Sequence, residues 1–211
     1  MRAAVCMIAI PDLLLESELW QSDLSLVAGL DEAGRGALAG PVAVGAVILP
    51  NDPHLTETLR GVRDSKQMTP LQRARLAPQI QVVAQTWGVG FASSQEIDSL
   101  GIVPATRLAA LRALEELSVL PNYLLTDFHL ELPELDIPQT ALVKGDQKSL
   151  SIAAASVLAK TSRDNLLREL NEQYPGYGFA RHKGYGTLFH RNAIMQLGFS
   201  EIHRKTFTVK I

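Results

Sequence analysis

Two apolar runs separated by a glycine-rich turn constrain this chain more than any other feature. The segments Leu24–Asp31 and Val42–Leu49 are long and apolar enough to predict an antiparallel pair of core strands. The adjacent acids Asp31 and Glu32 end the first run. Carboxylates at the end of a core strand are costly to desolvate unless a cation neutralises them, which favours a site for a hard metal ion. An ordinary hairpin turn with solvated acids is the alternative, and the apolar runs on both sides count against it.

The turn itself, GLDEAGRGALAGPV at 29–42, places one arginine between two glycines. Gly34 and Gly36 allow the backbone on both sides of Arg35 to approach a bulky anionic ligand. The spacing is not that of a dinucleotide fingerprint, because the third glycine comes only at Gly40 and no helical pattern follows. No Gly-Lys-Ser/Thr closes the turn, which excludes a P-loop. The turn therefore predicts a phosphate-bearing substrate beside the metal site.

The composition is that of an ordinary globular protein. With 211 residues, 46% hydrophobic and 20% charged, the chain is long enough for one large domain or for one domain with a small appendage. Cys6 is the only cysteine, which excludes an internal disulfide and a thiolate zinc cluster and is typical of the cytoplasm. The first apolar stretch is too short to cross a bilayer and lacks an Ala-x-Ala site. We therefore expect neither a signal peptide nor a membrane anchor. Either Met1 or Met7 is the expected first residue.

Charge is distributed unevenly along the chain. The formal net charge is −2, yet residues 181–211 carry six basic residues against Glu201 alone. Residues 1–180 carry 14 basic and 21 acidic residues. A basic C-terminal segment on an acidic body fits the binding of a polyanion such as nucleic acid. A solvated basic surface explains the charge alone equally well.

Signals along the rest of the chain predict alternating strands and helices. Thr69-Pro70-Leu71-Gln72 is a capping box with proline at the first helical position. The expected elements are a helix from Pro70 to about Ile80, a strand over Val82–Phe91, a helix over Pro104–Leu117, strands over Tyr123–Asp127 and Ala141–Val143, and a helix from about Ile152 to about Tyr174. In the second helix, the leucines at 108, 111, 114 and 117 form a stripe that predicts its core-facing side. The order indicates a mixed α/β layered domain with a small helical C-terminal part.

Four acids share the same position relative to the predicted strands. Each lies at or just past the C-terminal end of an apolar strand: Asp31, Glu32, Asp127 and Asp146. If those strand ends are adjacent in the sheet, the carboxylates converge, and like charges so close together need a cation. Oxygen-only donors favour Mg²⁺ or Mn²⁺ over Zn²⁺, and two such ions about 4 Å apart support phosphodiester hydrolysis. Neighbours on a strand point to opposite faces, so we expect Asp31 and Glu32 to serve together only through a bulge or a backbone carbonyl.

Five segments of the chain resemble one nuclease family. They are GLDEAGRGALAGPV at 29–42, DSKQMT at 64–69, KGDQKSLSIAAASVLAKTSRD at 144–164, HKGYGT at 182–187 and HRKTF at 203–207. In this order they resemble the type 2 ribonucleases H, and among them the bacterial ribonuclease HII family. The resemblance implies a ribonuclease H-like fold, with a mixed sheet flanked by helices. It also implies a metal-dependent endonuclease that cuts the RNA strand of RNA–DNA hybrids, incises duplex DNA at single embedded ribonucleotides, and leaves 3′-hydroxyl and 5′-phosphate ends.

The resemblance further implies roles for individual residues. The catalytic, metal-binding carboxylates would be Asp31, Glu32, Asp127 and Asp146, holding Mn²⁺ or Mg²⁺. The loop formed by Gly34, Arg35 and Gly36 would recognise the ribose–deoxyribose junction, where the 2′-hydroxyl distinguishes RNA from DNA. Tyr185 would stack on the sugar at that junction, and Lys66 would contact a phosphate.

The same resemblance implies how the chain is organised. Residues 23–211 would form the catalytic domain, with a basic helical segment at about 176–211, after an N-terminal extension of residues 1–22. We expect a cytoplasmic monomer that acts on hybrids and ribonucleotide-containing DNA and does not associate with membranes. Phe128 stands where the family usually has a glycine after the third acid, so an inactive nucleic-acid-binding member of the same fold is the alternative.

Other chemistry-bearing side chains have simpler explanations. Asp164 is a rival metal ligand, but it lies inside a predicted helix, where a solvated or arginine-paired acid is expected. Lys160 and Arg163 on the same helix are predicted to meet phosphate or water. Trp20 and Trp87 are expected to pack in the core. The histidines of the C-terminal segment, which lack zinc spacing and thiolate partners, are His182, His190 and His203.

Overall fold

A five-stranded mixed sheet forms the centre of the molecule. The computed structural model describes residues 10–128 and 130–209. The strands are β1 (Val27–Ala33), β2 (Val42–Ile48), β3 (Thr86–Ala92), β4 (Tyr123–Asp127) and β5 (Gln139–Leu142). Their order in the sheet is β3-β2-β1-β4-β5, in which β1–β2 and β2–β3 are antiparallel and β1–β4 and β4–β5 are parallel. The mixed α/β architecture predicted from the sequence is confirmed.

The parallel pairing of β1 with β4 aligns the ends of the two strands. Leu30 lies opposite Thr126, so Asp31 and Asp127 come next at the same edge of the sheet. Strand β5 runs along the other side of β4, and the short 3₁₀ turn Gly145–Gln147 follows it. Residues far apart in the chain therefore meet at one edge.

Helices cover both faces of the sheet. They are α1 (Leu14–Gln21), α2 (Leu55–Thr58), α3 (Pro70–Val83), α4 (Ser94–Leu100), α5 (Ile102–Glu115), α6 (Leu150–Gln173), α7 (Phe179–His182) and α8 (Leu188–Leu197). The long helix α6 crosses β1 and β2 at very short range. A Cβ added at Gly29 would lie 2.3 Å from the backbone of Ser151, and one at Gly45 would lie 2.4 Å from the carbonyl oxygen of Ala155. Only glycine in the strands and small residues in the helix allow this approach.

Helix α5 faces the sheet with alanines rather than with leucines. Ala109 is fully buried, whereas Leu108 and Leu111 are only partly buried. A Cβ added at Gly90 of β3 would lie 2.1 Å from the carbonyl oxygen of Ala109, so the helix lies too close to the strand for a larger side chain. The predicted leucine stripe was therefore wrong for its first two members, although the last two are buried.

Strand β3 begins later than the sequence predicts. Helix α3 continues through Val83 and leaves Val82 exposed. The first four residues of the predicted strand therefore belong to the helix and to the short segment that follows it. Trp87, expected to pack in the core, lies on this edge strand and is 37% exposed. The unpredicted helix α4 had a local signal, because Ser93 and Glu96 form a reciprocal capping box. Helices α7 and α8 form the expected helical C-terminal part.

Helix α1, within the segment expected to be an extension, packs against the body of the protein. Glu16 is fully buried, and its Oε1 accepts hydrogen bonds from Ser149 Oγ (2.6 Å), Ser151 Oγ (2.7 Å) and Ser151 N–H (3.0 Å). Because Ser149 caps α6, this carboxylate lies at the electropositive end of that helix. Trp20 of α1 packs against the core as expected. The boundary at residue 22 stays a prediction, and no helix within the described residues is long and apolar enough to cross a membrane.

Candidate metal centre and substrate loop

Three of the four predicted acids converge where β1 and β4 end. One carboxylate oxygen from each of Asp31, Glu32 and Asp127 lies within 4.8 Å of the others, and we name these three residues the acidic cluster. Asp31 is 2% exposed. Asp127 is fixed by a hydrogen bond from the Gly145 N–H to its Oδ1 (2.9 Å). The bulky Phe128 that follows it therefore does not remove the third acid from the cluster.

Asp31 and Glu32 reach the same space without a bulge. The register of β1 on β2 is regular, with Asp31 opposite Gly45 and Glu32 opposite Val44. The Asp31 carboxylate turns along the strand and accepts a hydrogen bond from the Glu32 N–H (2.7 Å). Glu32 has the longer side chain and lies near the strand end, where it can bend toward the same edge. The two carboxylates therefore converge without the bulge, because side-chain reach compensates for strand alternation. The alternative that one of the two residues contributes its backbone carbonyl stays a prediction.

Asp146 lies beside the acidic cluster rather than within it. It is 6% exposed on the turn Gly145–Gln147, and it is not among the acids whose oxygens lie within 4.8 Å of one another. Burial, followed by the charges of Asp64 and Asp127, raises the pKa of Asp146 to about 7. Its own charge contributes to raising the pKa of Asp31. The four predicted acids therefore share one electrostatic environment.

The described residues neutralise the acidic cluster only in part. Burial and the charge of Glu32 raise the pKa of Asp31 well above its ordinary value, although a hydrogen bond from Ser156 opposes the shift. Burial also raises the pKa of Glu32, offset in part by Arg35, whose Nη1 lies 3.5 Å from Glu32 Oε1. The buried Oε2 of Glu32 has no hydrogen-bond partner among the described residues. Crowded oxygen donors with one unused acceptor fit a hard divalent cation.

Lys66 lies within the field of the acids. Burial disfavours the charged form of Lys66, but the surrounding carboxylates outweigh this effect and raise its pKa. These carboxylates belong to Asp31, Asp64, Glu32 and Asp146. Sequence reasoning did not single out Asp64, which is 8% exposed and accepts a hydrogen bond from the Lys66 N–H (2.9 Å). The sequence feature that could have pointed to Asp64 was the Asp-Ser-Lys run itself. Ser156, which also bonds Ser65 Oγ (2.9 Å), was missed because nothing distinguishes it among the small residues of α6.

The Gly34–Gly36 loop begins directly after β1. Gly34 has φ +93°, and a Cβ there would lie 2.0 Å from Arg163 Nε, so a side chain has neither the conformation nor the space it needs. A Cβ at Gly36 would meet nothing within 4 Å. Gly34 therefore packs tightly against the protein, whereas space remains beside Gly36.

Tyr185 is half-buried beneath two cations. Lys160 Nζ lies 5.3 Å and Arg163 Cζ lies 5.5 Å from the centroid of its ring. Lys160 also donates to Asp164 Oδ1 (2.7 Å), while Arg73 Nη2 donates to Asp164 Oδ2 (3.2 Å). The interpretation of Asp164 as an arginine-paired acid is confirmed, and it is not one of the converging ligands.

Two fully buried arginines lie behind the loop, and we name Arg163 and Arg204 the arginine pair. Arg163 donates to the carbonyl oxygens of Pro41 (2.8 Å), Lys183 (2.9 Å) and Ala39 (3.1 Å). Arg204 donates to those of Arg35 (2.7 Å), Gly34 (2.8 Å) and Gly40 (3.0 Å). The prediction that Arg163 meets phosphate or water was wrong, because burial directs its donors to the backbone. Burial of Arg204 also removes one charge from the basic surface expected of the C-terminal segment.

The three histidines form a hydrogen-bonded stack. The Ser200 N–H donates to His203 Nδ1 (2.9 Å), so His203 carries its proton on Nε2 and donates it to His190 Nε2 (3.1 Å). His190 then donates from Nδ1 to the carbonyl oxygen of Tyr185 (3.0 Å). His182 uses both of its ring nitrogens in hydrogen bonds to backbone groups. No ring nitrogen remains for zinc, and burial lowers the pKa of His190 and of His203 to about 4.

Fold and site together define the class: a nuclease of the ribonuclease H fold, with buried and partly buried acids at adjacent strand ends beside a glycine–arginine loop. A model of the Ribonuclease HII family matches residues 28–210. A Ribonuclease HII of Dehalococcoides mccartyi is 50% identical over 208 residues, covering 98% of this chain and 95% of the relative. The chain belongs to the ribonuclease HII family. It is a metal-dependent ribonuclease, an endonuclease that hydrolyses phosphodiester bonds.

Solved structures support the same assignment. The crystal structure of ribonuclease H2 from Pyrococcus horikoshii OT3 aligns with a TM-score of 0.70 at 28% identity, covering 87% of this chain and 94% of that one. A chain in the PCNA:RNase HII complex from Archaeoglobus fulgidus aligns with a TM-score of 0.70 at 26% identity, covering 85% and 92%.

Proposed function

We propose that this protein cuts the RNA strand of RNA–DNA hybrids and incises duplex DNA at single embedded ribonucleotides, leaving 3′-hydroxyl and 5′-phosphate ends. One observation carries the proposal. Three carboxylates from β1 and β4, one buried and two partly buried, converge directly before a glycine loop that is open to a ligand. Membership of the ribonuclease HII family supports the same activity.

In this proposal the metal ligands are the catalytic residues. Asp31, Glu32 and Asp127 would hold Mn²⁺ or Mg²⁺ through carboxylate oxygens, with Asp146 completing the site from the neighbouring turn. Such ions, when bound, activate a water molecule and stabilise the departing oxygen of a phosphodiester. The buried Glu32 Oε2, which has no partner among the described residues, supports a cation at this position.

Substrate selection would fall to the residues around the acidic cluster. The backbone of Gly34, Arg35 and Gly36 would approach the ribose at the junction, because a Cβ at Gly36 meets no protein atom. Tyr185 would stack on the adjacent sugar, held in place by Lys160 and Arg163. Lys66, kept cationic by the acids, would contact a phosphate. We also propose that the protein acts as a monomer, and the single cysteine supports a cytoplasmic location.

The test is cleavage of a labelled DNA duplex that holds one ribonucleotide, with Mg²⁺, with Mn²⁺ and with a chelator. We expect one incision beside the ribonucleotide with either ion and none with the chelator. The all-DNA duplex of the same sequence is the matched control, and a uniform RNA–DNA hybrid tests the second substrate. Cleavage of the hybrid without incision at the single ribonucleotide would refute junction recognition. Binding of both duplexes without cleavage in either metal would favour an inactive nucleic-acid-binding member of the fold.

A further inference from the structure

The arginine pair buries two cations that lack a carboxylate partner. Arg163 and Arg204 are both 0% exposed, and no carboxylate oxygen of the described residues lies within 4.0 Å of either guanidinium. Burial, followed by the charge of Arg163, lowers the pKa of Arg204 to about 9. Unpaired buried charge is costly, and six backbone carbonyls accept hydrogen bonds from the pair and offset this cost.

Arg204 sets the orientation of two consecutive peptide groups in the loop. It bonds the carbonyl oxygens of Gly34 and Arg35 (2.8 and 2.7 Å), and both peptide bonds are trans. In a trans peptide the N–H points opposite to the C=O, so the N–H groups of Arg35 and Gly36 point away from the guanidinium. Neither N–H donates to an acceptor among the described residues. Two adjacent outward N–H groups are suited to bind a phosphate or sugar oxygen.

Arg163 connects the same loop to Tyr185. Its guanidinium packs against Gly34 and bonds the Lys183 carbonyl, two residues before the tyrosine, while its Cζ lies 5.5 Å from the tyrosine ring centroid. One buried side chain therefore fixes the distance between the loop and the ring. A change in either guanidinium would shift solvent-facing groups of the loop and the tyrosine. The guanidinium itself does not face the solvent.

We propose that Arg163 and Arg204 are positioning residues for ribonucleotide selectivity, acting through the N–H groups of the Gly34–Gly36 loop and the ring of Tyr185. This inference rests on the proposed function, in which the loop and the tyrosine contact the ribose junction. The pair itself touches no nucleic acid. Lysine in place of Arg204 donates from a single nitrogen and cannot hold three carbonyls in fixed directions. The substitution therefore removes the orientation of the loop carbonyls at a position that does not touch the nucleic acid.

The experiment compares two constants from one assay with the full-length enzyme. One is KM for the duplex with a single ribonucleotide, and the other is the inhibition constant of the all-DNA duplex of the same sequence as a competitor. For Arg204→Lys we expect KM to rise about tenfold, as for the loss of one hydrogen bond to a charged group, with the inhibition constant within about twofold of wild type. Arg163→Lys should behave in the same way. Arg75→Lys, at an exposed position on α3, is the matched control and should change neither constant.

Each result separates the possible explanations. Wild-type enzyme that fails to incise the ribonucleotide duplex would refute the proposed function, whatever the variants do. Wild-type incision with an unchanged KM in both arginine variants would overturn the positioning role. An equal rise in KM and in the inhibition constant would also overturn it, because a loss of charge weakens the binding of both duplexes alike. If Arg204→Lys does not fold by circular dichroism, Arg163→Lys decides the question.

Discussion

The acidic cluster and the arginine pair both adjoin the Gly34–Gly36 loop, and each brings like charges close to one another. In the acidic cluster, Glu32 Oε2 has no partner among the described residues, and burial raises the pKa of Asp31 and of Glu32. In the arginine pair, by contrast, six hydrogen bonds end on backbone carbonyls. The first arrangement needs a cation from outside the chain, whereas the second is complete by itself.

This difference teaches that burial of charge does not by itself identify a functional site. Glu16 is a buried carboxylate that is as inaccessible as Asp31, yet three donors near the start of α6 converge on its Oε1. Glu16 Oε2, like Glu32 Oε2, has no hydrogen-bond partner among the described residues, so a missing partner does not separate the two sites either. What separates them is the presence of other carboxylates, because Asp31 lies with Glu32 and Asp127, whereas Glu16 belongs to no group of converging acids among the described residues.

The largest effect is expected at the acidic cluster. Asp31→Asn and Asp127→Asn should each lower kcat about 1,000-fold or more, because a neutral amide cannot replace an anionic ligand of the cation. The metal-free Asp31→Asn protein should be more thermally stable than wild type, since a buried negative charge among acids is removed. Addition of Mn²⁺ should raise the Tm of wild type and not that of the variant. Asp136→Asn, at an exposed position, is the control, and near-normal turnover of Asp31→Asn in Mg²⁺ would remove that residue from the catalytic set.

A smaller effect, on stability alone, is expected at Glu16, the buried acid that lies outside the acidic cluster. Glu16→Ala removes the acceptor shared by the hydroxyl groups of Ser149 and Ser151, which as donors keep only the hydrogen bond between them, and should lower the free energy of unfolding by about 2–4 kcal/mol. The kcat of the folded protein should be unchanged. Urea unfolding monitored by circular dichroism, with exposed Glu18→Ala as the control on the same helix, measures the loss. A selective fall in kcat without a loss of stability would contradict the distinction between the two acids.

The smallest effect is expected from pH. His190 and His203 titrate near 4 in the folded protein instead of near 6.5, so the unfolded state binds more protons between these values. Their contribution to the free energy of unfolding is therefore complete above pH 6.5 and is lost progressively as the pH drops toward 4. The carboxyls of the acidic cluster act in the opposite direction, because their raised pKa values favour the folded state at low pH.

Comparing a histidine variant with wild type separates the contribution of the buried histidines from that of the acidic cluster. His203→Gln should reduce the loss of stability between pH 6.5 and pH 4 relative to wild type, whereas His54→Gln, at an exposed position, should leave it unchanged. Urea titrations at several pH values measure these slopes. Identical slopes for wild type and His203→Gln would show that the buried imidazoles do not resist protonation.

Local patterns alone were sufficient to predict much of this protein. The apolar runs of β1 and β2, the capping box at Thr69 and the acids at the strand ends are properties of short segments. Glycine at position 34 marks a tight, closely packed turn for a similarly local reason, since φ +93° excludes most other residues. Periodicity and backbone preference act over a few residues, so the sequence by itself determined the fold class and the placement of the predicted acids.

Tertiary structure decided which of these groups meet. Glu32 joins Asp31 through side-chain reach, and Asp64 lies close to the acids only because the chain returns to them after β2. Arg204 reaches the carbonyl of Gly34 across 170 positions of sequence. Convergence of this kind depends on strand register and on burial between distant segments, and no local pattern encodes either of them.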